Sequence, residues 1–168
     1  MRKLPDMNAY WTIRDEIVYA NFREHLELLQ KKLSQNDDFY GALCFESETE
    51  DAPFVVAGSL SYWIEQFLKL IAEADPAGEE REIPFWAHPF SLKIRLGEGL
   101  IHLSSNQWQD KWSLDTPKSS SCTLSFHDFS QNIFRISSEL IELFEESGFS
   151  RSAKLKNYLT ESQARFSE

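Results

Sequence analysis

The segment "SSSCTLSFHDFSQNIFRISSELIELFEESG" (119–148) joins a strand pattern to a helix pattern without a loop between them. Its opening, "SSSCTLSF", predicts a strand. The remainder predicts a helix, because apolar residues recur at spacings of three and four. These residues are Phe129, Ile133, Ile136, Leu140 and Leu143. Gly148 follows where helices commonly end. A fold that mixes α and β structure is therefore expected.

Upstream segments predict two hairpins. "SLKIRLGEGLIHLSSN" (91–106) alternates apolar and basic residues, and "GEG" supplies its turn. "FYGALCFESE" (39–48) and "PFVVAGSL" (53–60) are a second pair of strands, whose connection "SETEDA" (47–52) forms an acidic tip. The sheet that these strands build is expected to be mainly antiparallel.

Further helices are predicted before, between and after these strands along the sequence. "SYWIEQFLKLIAEA" (61–74) reads as a helix with Ser61 as its N-cap, ended by the acidic linker "ADPAGEE" (74–80). "NFREHLELLQKKLSQ" (21–35) is amphipathic. The preceding "AYWTIRDEIVYA" (9–20) suits either an extension of that helix or a hairpin, and one long N-terminal helix is favoured. The tail (151–166) predicts a short last helix.

The predicted architecture is a single α+β domain over residues 1–168. It has a mainly antiparallel sheet of about five or six strands with helices packed on one face. A long N-terminal helix and a C-terminal helix pair complete it. A repeated strand–serine–helix order, which matches Ser61 with Ser130 and Ile64 with Ile133, leaves open two similar β–α halves. Helix periodicity alone also produces most of these matches.

The charge is unevenly distributed along the chain. The net charge is −10, and residues 37–82 hold twelve acidic but only two basic residues, whereas the rest holds fifteen of each. Such a field disfavours nucleic acid and anionic membrane surfaces as partners and favours a basic protein. The alternative is that these acids are ordinary solvated surface. No apolar run is long enough for a membrane span, so a cytoplasmic protein is expected.

No catalytic, cofactor or metal motif stands out in the sequence. His127 and Asp128 are adjacent, and a carboxylate can orient an imidazole for base catalysis. Adjacent side chains rarely face each other, however, and Asp128 also suits the entry to a helix. We therefore predict no enzyme, no cofactor and no metal, and keep a small hydrolase that uses His127 and Asp128 as an alternative. Cys44 and Cys122 are expected to be buried thiols.

Two tryptophans, Trp108 and Trp112, lie in the polar stretch "QWQDKWSL" (107–114). Exposed tryptophan often anchors interfaces, although most large aromatic residues are buried. A structural or regulatory subunit that assembles through this stretch is a further alternative, and a monomer or weak dimer is expected. The predicted partner-binding residues are Glu46, Glu48, Glu50, Asp51, Glu79, Glu80, Glu82, Trp108 and Trp112.

In size, charge and the order strand, "SFHDF", long helix, residues 39–148 resemble bacterial toxin-immunity proteins, including those of contact-dependent growth inhibition. The resemblance is one of type and carries no diagnostic residue motif. It implies a protein that neutralises a basic toxin, such as a nuclease, by covering its active site or substrate groove with an acidic surface. Steering by charge and anchoring by a few aromatic residues would accomplish this.

Overall fold

The computed structural model describes residues 7–13, 16–19, 40–45, 54–75, 78–84, 91–105, 120–146 and 148–167. Within these ranges the chain forms eight strands and three helices. The strands are β1 (Met7–Ile13), β2 (Glu16–Tyr19), β3 (Tyr40–Phe45), β4 (Phe54–Ser59), β5 (Glu79–Pro84), β6 (Ser91–Gly97), β7 (Leu100–Ser104) and β8 (Ser121–Ser125). The helices are α1 (Leu60–Glu73), α2 (Phe126–Glu146) and α3 (Arg151–Phe166). The predicted mixture of α and β structure is confirmed.

The first four strands form an antiparallel sheet in the order β2-β1-β3-β4. β3 and β4 are the predicted hairpin, in which Leu43 lies opposite Val56 and Phe45 lies opposite Phe54. All four of these side chains are buried. The apolar residues of both strands thus face the core in matching register, which fixes the pairing.

The other four strands form a second antiparallel sheet in the order β5-β6-β7-β8. The β6–β7 hairpin is the one predicted from "GEG". Its two turn residues have positive φ, 55° at Glu98 and 75° at Gly99. This is the conformation that a two-residue type I′ turn requires, and it costs a non-glycine residue such as Glu98 some strain.

The second sheet has one buried and one exposed face. Its inward side chains are nearly fully buried and include Leu92, Ile94, Ile101, Leu103, Cys122 and Leu124. The residues between them in sequence are mostly charged or hydroxyl-bearing. Among the described residues, α2 packs against β7 and β8 and covers the inner face of this sheet. The two helices predicted at the C-terminal end are present and pack on each other.

Each sheet leads directly into a helix through a serine. The backbone N–H of Tyr62 donates to Ser59 Oγ at 3.2 Å, and that of Asp128 donates to Ser125 Oγ at 3.3 Å. A hydroxyl in this place satisfies one of the N–H groups that the first helical turn leaves unbonded. The predicted cap, Ser61, was wrong, because α1 begins earlier and Ser61 is buried inside it.

The two halves of the chain are therefore similar in outline: four antiparallel strands, a serine and a helix. The serines that correspond in structure are Ser59 and Ser125, whereas the sequence pattern had matched Ser61 with Ser130. The two alignments of the halves differ in offset by three residues, which is close to one helical turn. A match based on helix periodicity could therefore not tell them apart. The strand orders also differ, since β1 rather than β2 neighbours β3.

Aromatic side chains join the two halves in one core. Phe45 of the first sheet stacks on Phe129 of α2 with ring centres 6.0 Å apart. Phe67 of α1 meets Phe129 edge-on at 5.3 Å and Phe45 at 6.0 Å. Such geometries are favourable beyond the area they bury. One cluster of buried residues includes members of both sheets and all three helices.

α3 closes the core from outside by packing on α1 and α2. It contributes Leu155 and Leu159, together with Ser162, which is fully buried. The Ser162 hydroxyl lies 2.7 Å from the carbonyl oxygen of Leu68 in α1 and 2.6 Å from that of Tyr158 in its own helix. A small side chain with a satisfied hydroxyl lets the two helix backbones approach closely at this point.

Three sequence expectations are corrected. The favoured long N-terminal helix is wrong where it can be checked, because β1 and β2 form an antiparallel hairpin. Aromatic and β-branched residues dominate there and favour strands. The rest of that predicted helix, 21–35, lies outside the described residues. The single sheet of about five or six strands is two sheets of four. The acidic "linker" ends in strand β5, because pairing with β6 overrides the weak strand propensity of glutamate.

Candidate functional site

The outer face of the second sheet carries rows of polar side chains that run across its strands. Strand register places Glu80 opposite Arg95, Arg95 opposite His102, and His102 opposite Thr123. A second row runs from Glu82 through Lys93 and Ser104 to Ser121. The residues of both rows on β5, β6 and β7 line an open groove of about 460 Å³. We call this surface the outer face.

The outer face is striped by charge. Glu80 and Glu82 form a negative stripe on the edge strand β5, and both are exposed. Lys93 and Arg95 form a positive stripe on β6, directly beside it. Across the described part of the chain, no ion pair joins the two stripes, and Glu82 instead accepts a hydrogen bond from the Ser91 hydroxyl. The charges therefore remain available to a partner, although the stripes nearly cancel at a distance.

The third acidic residue of β5, Glu79, points the other way and is paired. Arg81 donates to Glu79 at 2.5 Å and to the side chain of Glu73 at 2.9 Å. The hydrogen bond from Arg81 lowers the pKa of Glu79 below its ordinary value. Arg81 is thus held by Glu79 within β5 and joins the edge of the second sheet to the end of α1 through the side chain and backbone carbonyl of Glu73.

His102 is held in place on the outer face. Its Nδ1 lies 2.7 Å from the hydroxyl oxygen of Thr123 on the neighbouring strand. This contact fixes the ring beside Arg95. The sequence shows His102 only as one residue of a strand, because the pairing of β7 with β8 that brings Thr123 to it is not local.

A second concave feature lies at the end of the same sheet. An apolar pocket of about 450 Å³ is bounded by the end of α1, the β6–β7 turn, the start of α2 and the end of α3. Its walls include Ile71, Leu96, Leu100, Phe126 and Phe166. Leu100 is 45% exposed and is the large apolar side chain that the described residues leave in solvent.

The predicted partner-binding residues fall into two groups. Glu79, Glu80 and Glu82 lie on β5, with Glu80 and Glu82 on the outer face and Glu79 in an ion pair. The remaining six lie outside the described residues: Glu46, Glu48, Glu50, Asp51, Trp108 and Trp112. The structure therefore brings two of the predicted acids together with Lys93 and Arg95, which the sequence reading had not included.

His127 and Asp128 stand in the first turn of α2. The His127 ring lies 5.3 Å from the Phe166 ring of α3. No hydrogen bond joins His127 to the Asp128 side chain in the part of the chain that is described, and Asp128 engages Ser125 and Asn132 through its backbone. His127 and Asp128 therefore form the start of α2, and His127 packs against the end of α3.

Comparisons with models of protein families, with characterised proteins and with solved structures find no match to this chain. The described residues include no group of three histidine, cysteine or carboxylate side chains that could hold a metal ion. None of the three helices is both long enough and apolar enough to cross a membrane.

Proposed function

We propose that this chain is an acidic, non-catalytic binding protein, an immunity protein that acts in the cytoplasm and neutralises a basic toxin by covering its active site or substrate groove. The observation that carries the proposal is the exposure of Glu80 and Glu82 on an open sheet face without an ionic partner among the described residues. Exposed carboxylates on a rigid strand can pair with cations of a partner at no cost in loop ordering.

The positive stripe beside these acids refines the proposal. A uniformly basic partner would be attracted by Glu80 and Glu82 and repelled by Lys93 and Arg95. The matching partner surface therefore presents its cations over β5 and carboxylates over β6. Such a pattern favours one cognate partner over other basic proteins, because a wrong partner leaves like charges face to face.

Charge variants of the outer face test the proposal. The chain is used to capture a basic protein from the native organism, and the association rate of the purified pair is then measured at low salt. The double variant Glu80→Gln with Glu82→Gln is expected to slow association several-fold, because the attraction over β5 is lost and Lys93 and Arg95, no longer balanced, repel the cations of the partner. The matched control, Glu146→Gln with Glu161→Gln, changes the net charge equally on exposed helix positions and is expected to have little effect.

Charged residues on an edge strand also prevent sheets from pairing edge to edge. If that is the whole role of Glu80 and Glu82, their double variant will aggregate while its association rate with the captured protein stays at the wild-type value. That outcome, or equal slowing by the control variant, would overturn the proposed use of the outer face.

A further inference from the structure

The apolar pocket at the end of the second sheet has the volume and lining of a small-molecule site. Its volume of about 450 Å³ lies within the roughly 300–1,000 Å³ that is typical of ligand pockets. Ile71 and Leu96 belong to both the pocket wall and the core, and both are nearly fully buried. Leu100 continues the apolar lining into solvent, where it is 45% exposed. An apolar group that enters the pocket therefore removes apolar surface from water.

Two phenylalanine rings form an aromatic wall of the pocket and are held by their neighbours. The ring centres of Phe126 and Phe166 are 6.3 Å apart. The Phe166 ring also meets Phe134 edge-on at 5.6 Å and lies 5.3 Å from the His127 ring. The backbone N–H of Phe126 donates to the carbonyl of Gly99 at 2.9 Å, which joins the start of α2 to the β6–β7 turn. A flat aromatic ligand therefore meets a preformed wall, so little ordering opposes its binding.

Two charged side chains, Asp75 and Arg165, also line the pocket, and they differ in what they contact. Asp75 already takes part in an interaction of its own. Arg165 lies in the last turn of α3, where its charge suits the helix dipole. Within the described part of the chain, its guanidinium makes no ion pair or side-chain hydrogen bond, although Glu161 lies one turn earlier. The N–H donors of Arg165 are therefore available to a ligand.

We propose that this pocket binds a small aromatic carboxylate, whose ring packs on Phe126 and Phe166 and whose carboxylate pairs with Arg165. A guanidinium group can hold a carboxylate through two parallel N–H···O bonds. Asp75 and the net charge of the chain oppose an anionic ligand, but salt screens exposed charges beyond about 8 Å. Direct contact with Arg165 then decides the preference. The inference is independent of the proposed function.

Three ligands of nearly the same shape but different charge test the inference on the full chain. Naphthylacetate carries the carboxylate, naphthylacetamide is its neutral counterpart, and naphthylethylamine carries a cation. Binding is followed through backbone amide shifts by NMR. We expect naphthylacetate to shift residues 96–100, 126 and 165–166 and to bind at least about five-fold more tightly than either of the other two.

Variants separate the recognition of the carboxylate from the recognition of the ring. Arg165→Gln is expected to remove the preference for naphthylacetate over naphthylacetamide, and Arg165→Lys, which lacks the forked donors, to retain part of it. Lys156→Gln is the matched control, because it removes an exposed cation from the same helix more than two turns away. We expect it to leave the preference unchanged. Leu100→Ser is expected to weaken both ligands several-fold and to keep their ratio.

A purely structural role of Arg165 at the end of α3 gives a different result. Arg165→Gln would then weaken naphthylacetate and naphthylacetamide equally or not at all, and the inference would be overturned. Equal affinity of these two ligands for the wild type, tighter binding of naphthylethylamine, or shifts that avoid the pocket residues would also overturn it. None of these measurements involves a basic protein, so the proposed function stands or falls separately.

Discussion

Glu65 shows how a single carboxylate of the acidic segment is used for structure rather than for binding. It lies 2.7 Å from Lys69 in the next turn of α1 and 3.0 Å from Lys154 in α3. Burial raises the pKa of Glu65, but the hydrogen bonds from the two lysines outweigh it, and the net result is a lowered pKa. Lys69 also stands 4.9 Å from the centre of the Tyr158 ring. These contacts pin α3 to α1.

The lowered pKa predicts a pH dependence of stability. A carboxyl group whose pKa is depressed by folding stabilises the protein above its unfolded pKa, near 4.5, and loses that contribution as the pH falls through the folded value. Glu65→Gln is therefore expected to cost about 1 kcal/mol at neutral pH, with the difference from wild type shrinking below about pH 4. Urea unfolding of the wild type and of Glu65→Gln at a series of pH values measures this difference in the free energy of unfolding. A difference that is constant with pH would contradict the assignment.

Ser162 makes a second prediction at the level of one residue. Ser162→Ala removes the hydrogen bond to Leu68 and is expected to cost about 1 kcal/mol. Ser162→Leu forces a larger side chain between two helix backbones and is expected to cost about 1–3 kcal/mol in addition. Thr160→Leu, an exposed position on α3, is the matched control. Equal stability of the two Ser162 variants would show that α3 does not pack as closely as described.

At the level of elements, the sequence predicts those helices and strands whose apolar spacing is clear within one short segment. The β6–β7 hairpin, the β3–β4 hairpin and α2 were predicted within a few residues, because the alternation or the three- and four-residue spacing of their apolar residues is strong. The N-terminal hairpin was the less favoured of two alternatives, because Ile13 and Ile17 are four apart and also fit a helix. β5 was missed because its residues, "EEREIP", are poor strand formers and pair only in the presence of β6.

The same distinction explains which parts of the candidate sites could be foreseen. Glu80 and Glu82 stand out in the sequence as acids. Their neighbours Lys93 and Arg95 do not, because strand register is set by contacts between distant segments. The apolar pocket could not be predicted, since its walls come from α1, the β6–β7 turn, α2 and α3. Nothing local in "GEGL" (97–100) indicates that Leu100 stays exposed.

At the scale of the whole molecule, the two similar halves share one core, and the prediction of a single domain can be tested through it. Phe129→Ala removes a ring that contacts Phe45 of the first sheet and Phe67 of α1. We expect the free energy of unfolding of this variant to fall by about 3–5 kcal/mol. Amide hydrogen exchange should show lower protection in β4 and β7 together, because both sheets depend on that contact. If exchange protection falls in one sheet alone, the two halves are independently stable.

Within the described residues, acids of the segment 37–82 are found in ion pairs within the fold and on the outer face. Glu65, Glu73 and Glu79 are paired with lysine or arginine. Glu80 and Glu82 are exposed on the outer face, beside Lys93 and Arg95. The described acids of this segment therefore do not form one uniform negative surface.

We propose that this chain binds a basic protein through the exposed acids Glu80 and Glu82. The most direct measurement is the association rate of the chain with the basic protein captured from its native organism, followed as salt is raised from about 50 to 300 mM, over which the range of electrostatic attraction shortens. We expect the association rate to fall steeply with salt for the wild type and more gently for Glu80→Gln with Glu82→Gln. A rate that does not change with salt, or the same salt dependence in both proteins, would contradict it.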